Sequence, residues 1–306
     1  MRNPALKALL AMAVAGLFAG PPAARAQDAA SPAATGPAPA PTAATVPVQL
    51  PAEHSWRLGV ALGYGSRTNP LIQSDDIPVL VDVDIAWFGK RWFFDNGDIG
   101  FTAVDNRFFT ANLMARVNSD RAFFSKTNTK YVTFARAGGG ATLPAFDVTG
   151  GPLTQPVPLK PPKRDYAVEA GVEVLFGGEW GNATLRGFHD VSDKHEGYEV
   201  SADYAYRWTR GRLSVSPTVG VTYKNSKLSD YYWGVHPGEA SNVLFEYHPD
   251  GGLGWEAGLH TNYYLTKNVR LALSANYERL QHDIAQSPLV DQDYVFGYFA
   301  GFGWQF

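Results

Sequence analysis

The chain has 306 residues, 45% hydrophobic and 13% aromatic, with a net charge of −3 and no cysteine. That balance leaves no electrostatic footprint for nucleic acid. The missing cysteines remove disulfides, thiolate metal sites, a thiol nucleophile and a lipid-modified cysteine.

Residues 1–26 have the order of a secretory signal peptide. Arg2 and Lys7 precede or enter an apolar run from Ala8 to Ala19, and Ala24 and Ala26 form an A-x-A arrangement before Gln27. Residues 27–52, "QDAASPAATGPAPAPTAATVPVQLPA", are rich in alanine and proline and lack aromatics. Such a segment cannot bury a core and is expected to be a disordered periplasmic leader. Beyond it no stretch reaches about 18 uninterrupted apolar residues, so no spanning helix is expected in 53–306.

From residue 53 the sequence alternates with period two, the pattern of strands. "WRLGVALGY" puts Trp56, Leu58, Val60, Leu62 and Tyr64 on one face against Gly59, Ala61 and Gly63. "VLVDVDIAW" sets Val81, Val83, Ile85 and Trp87 against Asp82 and Asp84. "YAVEAGVEVLF", "YEVSADYAYRW", "LSVSPTVGVTY", "LGWEAGLHTNYYL" and "NVRLALSANY" continue the alternation. A soluble sandwich would show water a face rich in lysine and glutamate. Here the polar face is rich in glycine, alanine, serine and threonine, and the apolar face carries aromatics near the segment ends. This pattern predicts an all-β fold: an antiparallel up-and-down transmembrane barrel, apolar outward and polar inward, with interfacial aromatic girdles.

About twelve strands are predicted, near 56–66, 78–88, 91–104, 107–117, 131–143, 165–176, 180–190, 197–208, 212–224, 252–264, 268–280 and 293–306. With both ends periplasmic, the turns "GK", "GGE", "TRG" and "TK" are short and periplasmic. The connections 67–77, 144–164, 225–251 and 281–292 are long and external, which is the barrel rule. Two connections break that rule: 105–106 is short and external, and 118–130 is long and internal.

The last strand, "DYVFGYFAGFGWQF", alternates Tyr294, Phe296, Tyr298, Ala300, Phe302, Trp304 and Phe306 with mostly small residues. It is expected to close the barrel against the first strand, with its aromatics toward lipid. Tyr298, Phe302, Trp304 and Phe306 form a terminal aromatic pattern resembling the signal read by the barrel assembly machinery. That places the protein in a Gram-negative cell outer membrane.

Several stretches together resemble the MipA/OmpV family of outer-membrane proteins: "SDDIPVLVDVDIAWFGKRWFFDNGDIGF", "SDYYWGVHPGEAS" and "ERLQHDIAQSPLVDQ". The most specific matches are Asp230-Tyr231-Tyr232-Trp233-Gly234-Val235 with Pro237, and Glu278-Arg279-Leu280 with Ser287-Pro288-Leu289-Val290. The resemblance covers most of 55–306 and is weakest over 118–164, where "LTQPVPLKPPKRD" departs from the usual spacing. It implies an outer-membrane barrel. Through the family's named member it implies a scaffold joining a murein hydrolase to a murein synthase. It offers no catalytic residues.

The remaining candidates are weighed from residue chemistry. "FHDVSDKHEGY" gathers His189, Asp190, Ser192, Asp193, His195 and Glu196, but a triad is a spatial arrangement, and Asp/Ser/Gly turn chemistry accounts for the segment. His260 and Glu256 share the predicted lumen face and are expected to form an ion pair. Asp75 and Asp76 are expected to sit on a solvated loop. No enzyme, cofactor or metal is predicted. Asp82, Asp84, Glu169, Glu173, Glu199, Asp203, Arg207, Glu256, Arg270 and Glu278 are predicted to face the lumen, where acids outnumber bases. Such charges either pair across the lumen and close it or line a narrow cation-preferring pore.

The expected function is a non-enzymatic scaffold between the outer membrane and peptidoglycan-remodelling enzymes. The alternatives are a narrow pore, or surface recognition through the external loops. Residues 27–52 and the connection 118–130 are the expected periplasmic partner surfaces, the latter presenting Phe123 and Phe124 beside Arg121, Lys126 and Lys130.

Overall fold

The computed structural model describes residues 54–124, 161–239 and 246–306. The strands are β1 (Ser55–Arg67), β2 (Ile77–Phe88), β3 (Trp92–Asp95), β4 (Asp98–Asp105), β5 (Thr110–Val117), β6 (Val168–Gly178), β7 (Gly181–Asp190), β8 (Tyr198–Ala205), β9 (Trp208–Arg210), β10 (Leu213–Lys224), β11 (Gly252–Tyr264), β12 (Val269–Arg279) and β13 (Tyr294–Gln305). Neighbours pair antiparallel, and β13 closes on β1, with Gly59 opposite Gln305 and Arg67 opposite Gly297.

β8 and β9 together make one crossing. Both pair with β10 in a single register, Ala205 opposite Thr218 and Trp208 opposite Val215. The break falls where Pro217 meets Tyr206. Tyr206 N–H still donates to Pro217 O at 3.1 Å, but the proline has no N–H to return the bond. The wall is therefore a closed antiparallel barrel of twelve crossings.

The pleat sorts side chains as the alternation requires. Leu62, Leu113, Val172, Val219 and Phe302 point outward and are all about half exposed, as side chains meant for lipid must be. Aromatics pair at both rims of this outer face. Trp56 and Trp87 lie 6.5 Å apart at the end that holds Ser55 and Gln305, and Tyr64 and Tyr298 are 6.5 Å apart at the other. Trp180 and Tyr204 stack at 6.2 Å, and the Tyr204 hydroxyl donates to Trp180 O.

One predicted strand divides. Residues 91–104 form the β3–β4 hairpin, turning at Asn96 and Gly97, both with positive φ (49° and 108°). Asn-Gly is the residue pair that a two-residue hairpin turn selects, because both central positions need left-handed backbone. The Asn96 side chain extends the ladder by accepting from Ile85 N–H at 2.9 Å. This added reversal changes the side on which the connections between the hairpin and β6 lie. The turn 106–109 is now short and at the end of the termini, and the long connection after β5 is at the opposite end. Both exceptions to the loop rule vanish. β5 pairs directly with β6, Val117 opposite Val168. The predicted strand 131–143 lies outside the described residues, as do 27–52 and most of the loop 144–164.

The partner surface predicted at 118–130 is corrected by the same reversal. Ser119–Phe124 is a 3-10 helix at the long-loop end, and Phe123 and Phe124 are 4% and 5% exposed. Their rings are taken up by an apolar cluster, so they cannot present themselves to a periplasmic protein. Arg121 stacks its guanidinium carbon 4.5 Å from the centre of the Tyr166 ring. Lys126 lies outside the described residues.

The principal hydrophobic core sits in that loop end. Helix α1 (Ser226–Trp233) is capped by the Asn225 side chain, which accepts from Leu228 N–H. It ends at Gly234, whose N–H donates to Asp230 O at 2.8 Å. A Cβ at Gly234 would come within 2.4 Å of Asp230 O, so the exit from the helix needs glycine. α1 brings Leu228, Tyr232 and Trp233 against Leu71 from the β1–β2 loop, Phe123 and Phe124, and Ile284, Leu289 and Val290 around the short helix α2 (His282–Ala285).

Candidate functional site: an ion-paired lumen beneath an apolar cap

Lumen-facing positions follow from the strand registers, and their charges are cross-linked. Arg57 Nε donates to Asp84 at 2.9 Å, and its Nη2 donates to Asp95 at 2.8 Å. Arg186 joins Glu173 and Asp203, each at 2.8 Å. Arg116 joins Glu169 at 2.8 Å and Glu199 at 2.9 Å, and lies over the Phe188 ring at 3.8 Å. Lys224 donates to Asp120 and stands 4.0 Å from Glu199. Each arginine thus ties two carboxylates from different strands, which its planar fork suits. Removing one member of such a pair would be costly, since it strands the other as an uncompensated buried charge.

A cavity of about 370 Å³ opens within this network. Asp95, Asp98, Glu173, Glu199, Asp203 and Glu256 face it, against Arg116 and Arg186. The lining of this cavity is thus polar, with acids outnumbering bases.

Among the described residues, an apolar cluster gathers over the barrel at the long-loop end. Arg67 from β1 and Lys224 from β10 reach the Ser119–Phe124 turn from well-separated parts of the wall. The Trp233 indole N–H donates to the same Asp120 at 3.3 Å. Phe124 contacts Tyr232 and Trp233 at 6.1 and 5.6 Å between ring centres, and Phe123 meets Trp233 at 5.9 Å. Ile72 N–H donates to Leu289 O at 3.0 Å, and Asp291 N–H to Pro70 O at 3.1 Å. The Ser287 hydroxyl donates to Trp233 O at 2.5 Å. Tyr232, Trp233, Val235, Leu280, Ser287, Leu289 and Val290, singled out by motif, therefore converge on one structural element. Burial raises the Tyr232 phenol far above its ordinary pKa.

Of the predicted lumen charges, Asp82, Asp84, Glu169, Glu173, Glu256 and Arg270 all fall on inward strand positions by their registers. Asp82 lies within electrostatic reach of Arg270 and His260. Arg270 Nη1 donates to Gln305 at 3.3 Å. Arg207 is exposed in the gap between β8 and β9, where the shared register sets it opposite Ser216. The cations that organise the lumen are Arg57, Arg116, Arg186 and Lys224. Sequence reading passed over them, although each sits at an even spacing from a polar neighbour on its strand.

The histidine–serine segment is a turn. The Asp190 carboxylate accepts from Ser192 N–H and hydroxyl, and from the N–H groups of Lys194, His195 and Glu196, at 2.6–3.0 Å. Ser192 thus bonds an acid and not a histidine. His195 is fully buried, accepting from Gly197 N–H and holding Nε2 3.4 Å from Glu169. Asp75 and Asp76 are exposed. On β13, Tyr298, Phe302 and Trp304 face outward in register with Ser66, Leu62 and Val60. Phe306 is 77% exposed beyond the strand, its N–H donating to Leu58 O at 2.9 Å.

The protein family described as MltA-interacting protein MipA matches residues 58–306. Among curated relatives, the putative outer membrane protein YiaT of Escherichia coli K12 is 30% identical over 145 residues, 47% of this chain and 59% of that protein. Outer membrane protein OmpV of Vibrio cholerae is 28% identical over 129 residues, 42% and 50% of the two chains. The MltA-interacting protein of E. coli K12 is 28% identical over 135 residues, 43% and 54%. The matched stretch spans about half the length of these relatives.

Proposed function

This chain belongs to the MltA-interacting protein MipA family of outer-membrane β-barrels, and from that membership we propose that it is a non-enzymatic scaffold linking the outer membrane to peptidoglycan-remodelling enzymes. The observation that carries the reading is the cap. Loops from four parts of the wall fill the long-loop end with packed apolar side chains, while double ion pairs tie the lumen walls together. A barrel built this way favours rigid presentation over transport. A relative named for its interaction with MltA supplies the partner class, a murein hydrolase; a murein synthase joins it in the same assembly.

The docking surface in this reading is the short-turn end that holds Ser55 and Gln305. The short turns at that end support a periplasmic orientation for it, on the side where peptidoglycan lies. Affinity capture of the tagged barrel from envelope extracts should recover a murein hydrolase or synthase. Recovery of neither, with the barrel intact and heat-modifiable, would remove the scaffold reading.

A further inference from the structure

We propose that the long-loop end carries a divalent transition-metal site made by Asp230, His236 and His248. The backbone arranges it. Val235 and Tyr247 exchange both N–H···O bonds, at 2.8 and 3.0 Å, and the Tyr247 hydroxyl anchors that bridge to Asp283 O at 2.7 Å. The bridge sets His236 and His248 beside the last turn of α1, where Asp230 projects. His236 Nε2 lies 3.1 Å from Asp230 Oδ2, and His248 Nδ1 lies 2.8 Å from Oδ1. One donor atom from each of the three residues lies within 4.8 Å of the others. A tetrahedral ion bonded at about 2.0–2.1 Å holds its donors roughly 3.3 Å apart. Each imidazole already touches one oxygen of the Asp230 carboxylate and the three donor atoms span no more than 4.8 Å, so side-chain rotations at this partly exposed site would bring them to that spacing.

A second observation points the same way. The far nitrogen of each imidazole also faces a carboxylate: His236 Nδ1 is 3.5 Å from Glu239, and His248 Nε2 is 3.7 Å from Glu246. Glu239 is itself fixed by Arg164 and by the His236 N–H at 3.0 Å. Carboxylates behind ligating histidines set the tautomer and ring orientation in metal sites. Three acids against Arg164 also leave the cluster net negative. Two imidazoles and one carboxylate are donors of intermediate softness, which suit Zn²⁺, Ni²⁺ or Cu²⁺ and not Mg²⁺ or Ca²⁺. Three protein ligands leave a coordination position open to an external donor.

The test is calorimetric titration of Zn²⁺, and separately Ca²⁺, into the metal-stripped full-length barrel in detergent. The expected result is one saturable equivalent of Zn²⁺ in the micromolar range or tighter, and none of Ca²⁺. His236→Gln/His248→Gln should abolish that equivalent. Glu239→Gln should weaken it by about 10–100-fold while leaving all three ligands in place. Both imidazoles lie outside the cap, 31% and 57% exposed, so heat-modifiability should be unchanged in every variant. A folded wild type that binds no Zn²⁺ saturably would overturn the site, as would a double-histidine variant that binds as tightly as wild type. Either result would leave a hydrogen-bonded histidine–aspartate cluster only.

Discussion

The guanidinium carbon of Arg67 lies 5.3 Å from the centre of the Phe123 ring. Arg67 is the last residue of β1, and Phe123 belongs to the connection after β5, four strands around the wall. A cation stacked on a ring over that span means that the turn lies across the mouth and not along its rim. Desolvated contacts of this type contribute more than exposed ones. The cap is therefore fastened to the barrel as well as packed within itself.

Truncating the cap should cost what truncating a soluble core costs. Phe124→Ala removes a ring packed on Tyr232 and Trp233. It should lower stability by about 3–5 kcal/mol, the usual range for a buried phenylalanine. Urea unfolding of the refolded barrel in lipid measures this as a lower midpoint at unchanged slope. A loss under 1 kcal/mol would mean that the cap yields freely at this position.

Arg116 tests the lumen network. Its side chain is 15% exposed and joins Glu169 and Glu199, which are 0% and 6% exposed. Arg116→Met should destabilise by about 3–5 kcal/mol, because two carboxylates lose their buried partner. Arg116→Met combined with Glu169→Gln and Glu199→Gln should recover most of that loss. If the triple variant is no more stable than the single one, the cost comes from lost packing on Phe188 and not from stranded charge.

Asp190 holds the 191–197 turn through one hydroxyl and four backbone donors. Asp190→Asn keeps the shape but replaces a charged acceptor oxygen with an amide that competes as a donor. A loss of about 1–3 kcal/mol of local stability should follow. The expected readout is faster cleavage of this loop by added protease on intact cells, with barrel abundance unchanged. Equal cleavage rates would show that the turn persists without the carboxylate.

Phe306 separates assembly from stability. It is exposed past the last strand, so its deletion should cost the finished barrel only a few kcal/mol at most. We predict that the deletion lowers outer-membrane levels in cells and still gives a heat-modifiable barrel when refolded in vitro. Normal levels in cells would leave Phe306 an ordinary interfacial aromatic.

The wall was legible in the sequence because a strand with lipid on one side and polar lumen on the other must alternate. β6, β10 and β12 show this residue by residue. The β3–β4 hairpin was not read, although Asn96-Gly97 is a strong turn signal. Apolar residues on both sides of it, Trp92 to Phe94 and Ile99 to Phe101, continue the strand pattern through the turn. That one reversal moved Phe123 and Phe124 from an imagined periplasmic surface into the cap. The cap has no periodicity to reveal it, since its residues come from four separate connections. The grouping of Asp230 and His236 with His248 was equally hidden, because only the Val235–Tyr247 bridge brings His248 back beside them.

Single-channel recording tests the central claim most directly, that a packed cap makes this barrel a closed platform. Wild-type protein at high load in planar bilayers should give no steady conductance steps. Phe123→Ala/Phe124→Ala, inserted at the same load, should give flickering cation-preferring openings, because the acidic cavity below the cap would then meet the outer solution. Steady steps from wild type, equal to those of the cap variant, would contradict the account and establish a pore.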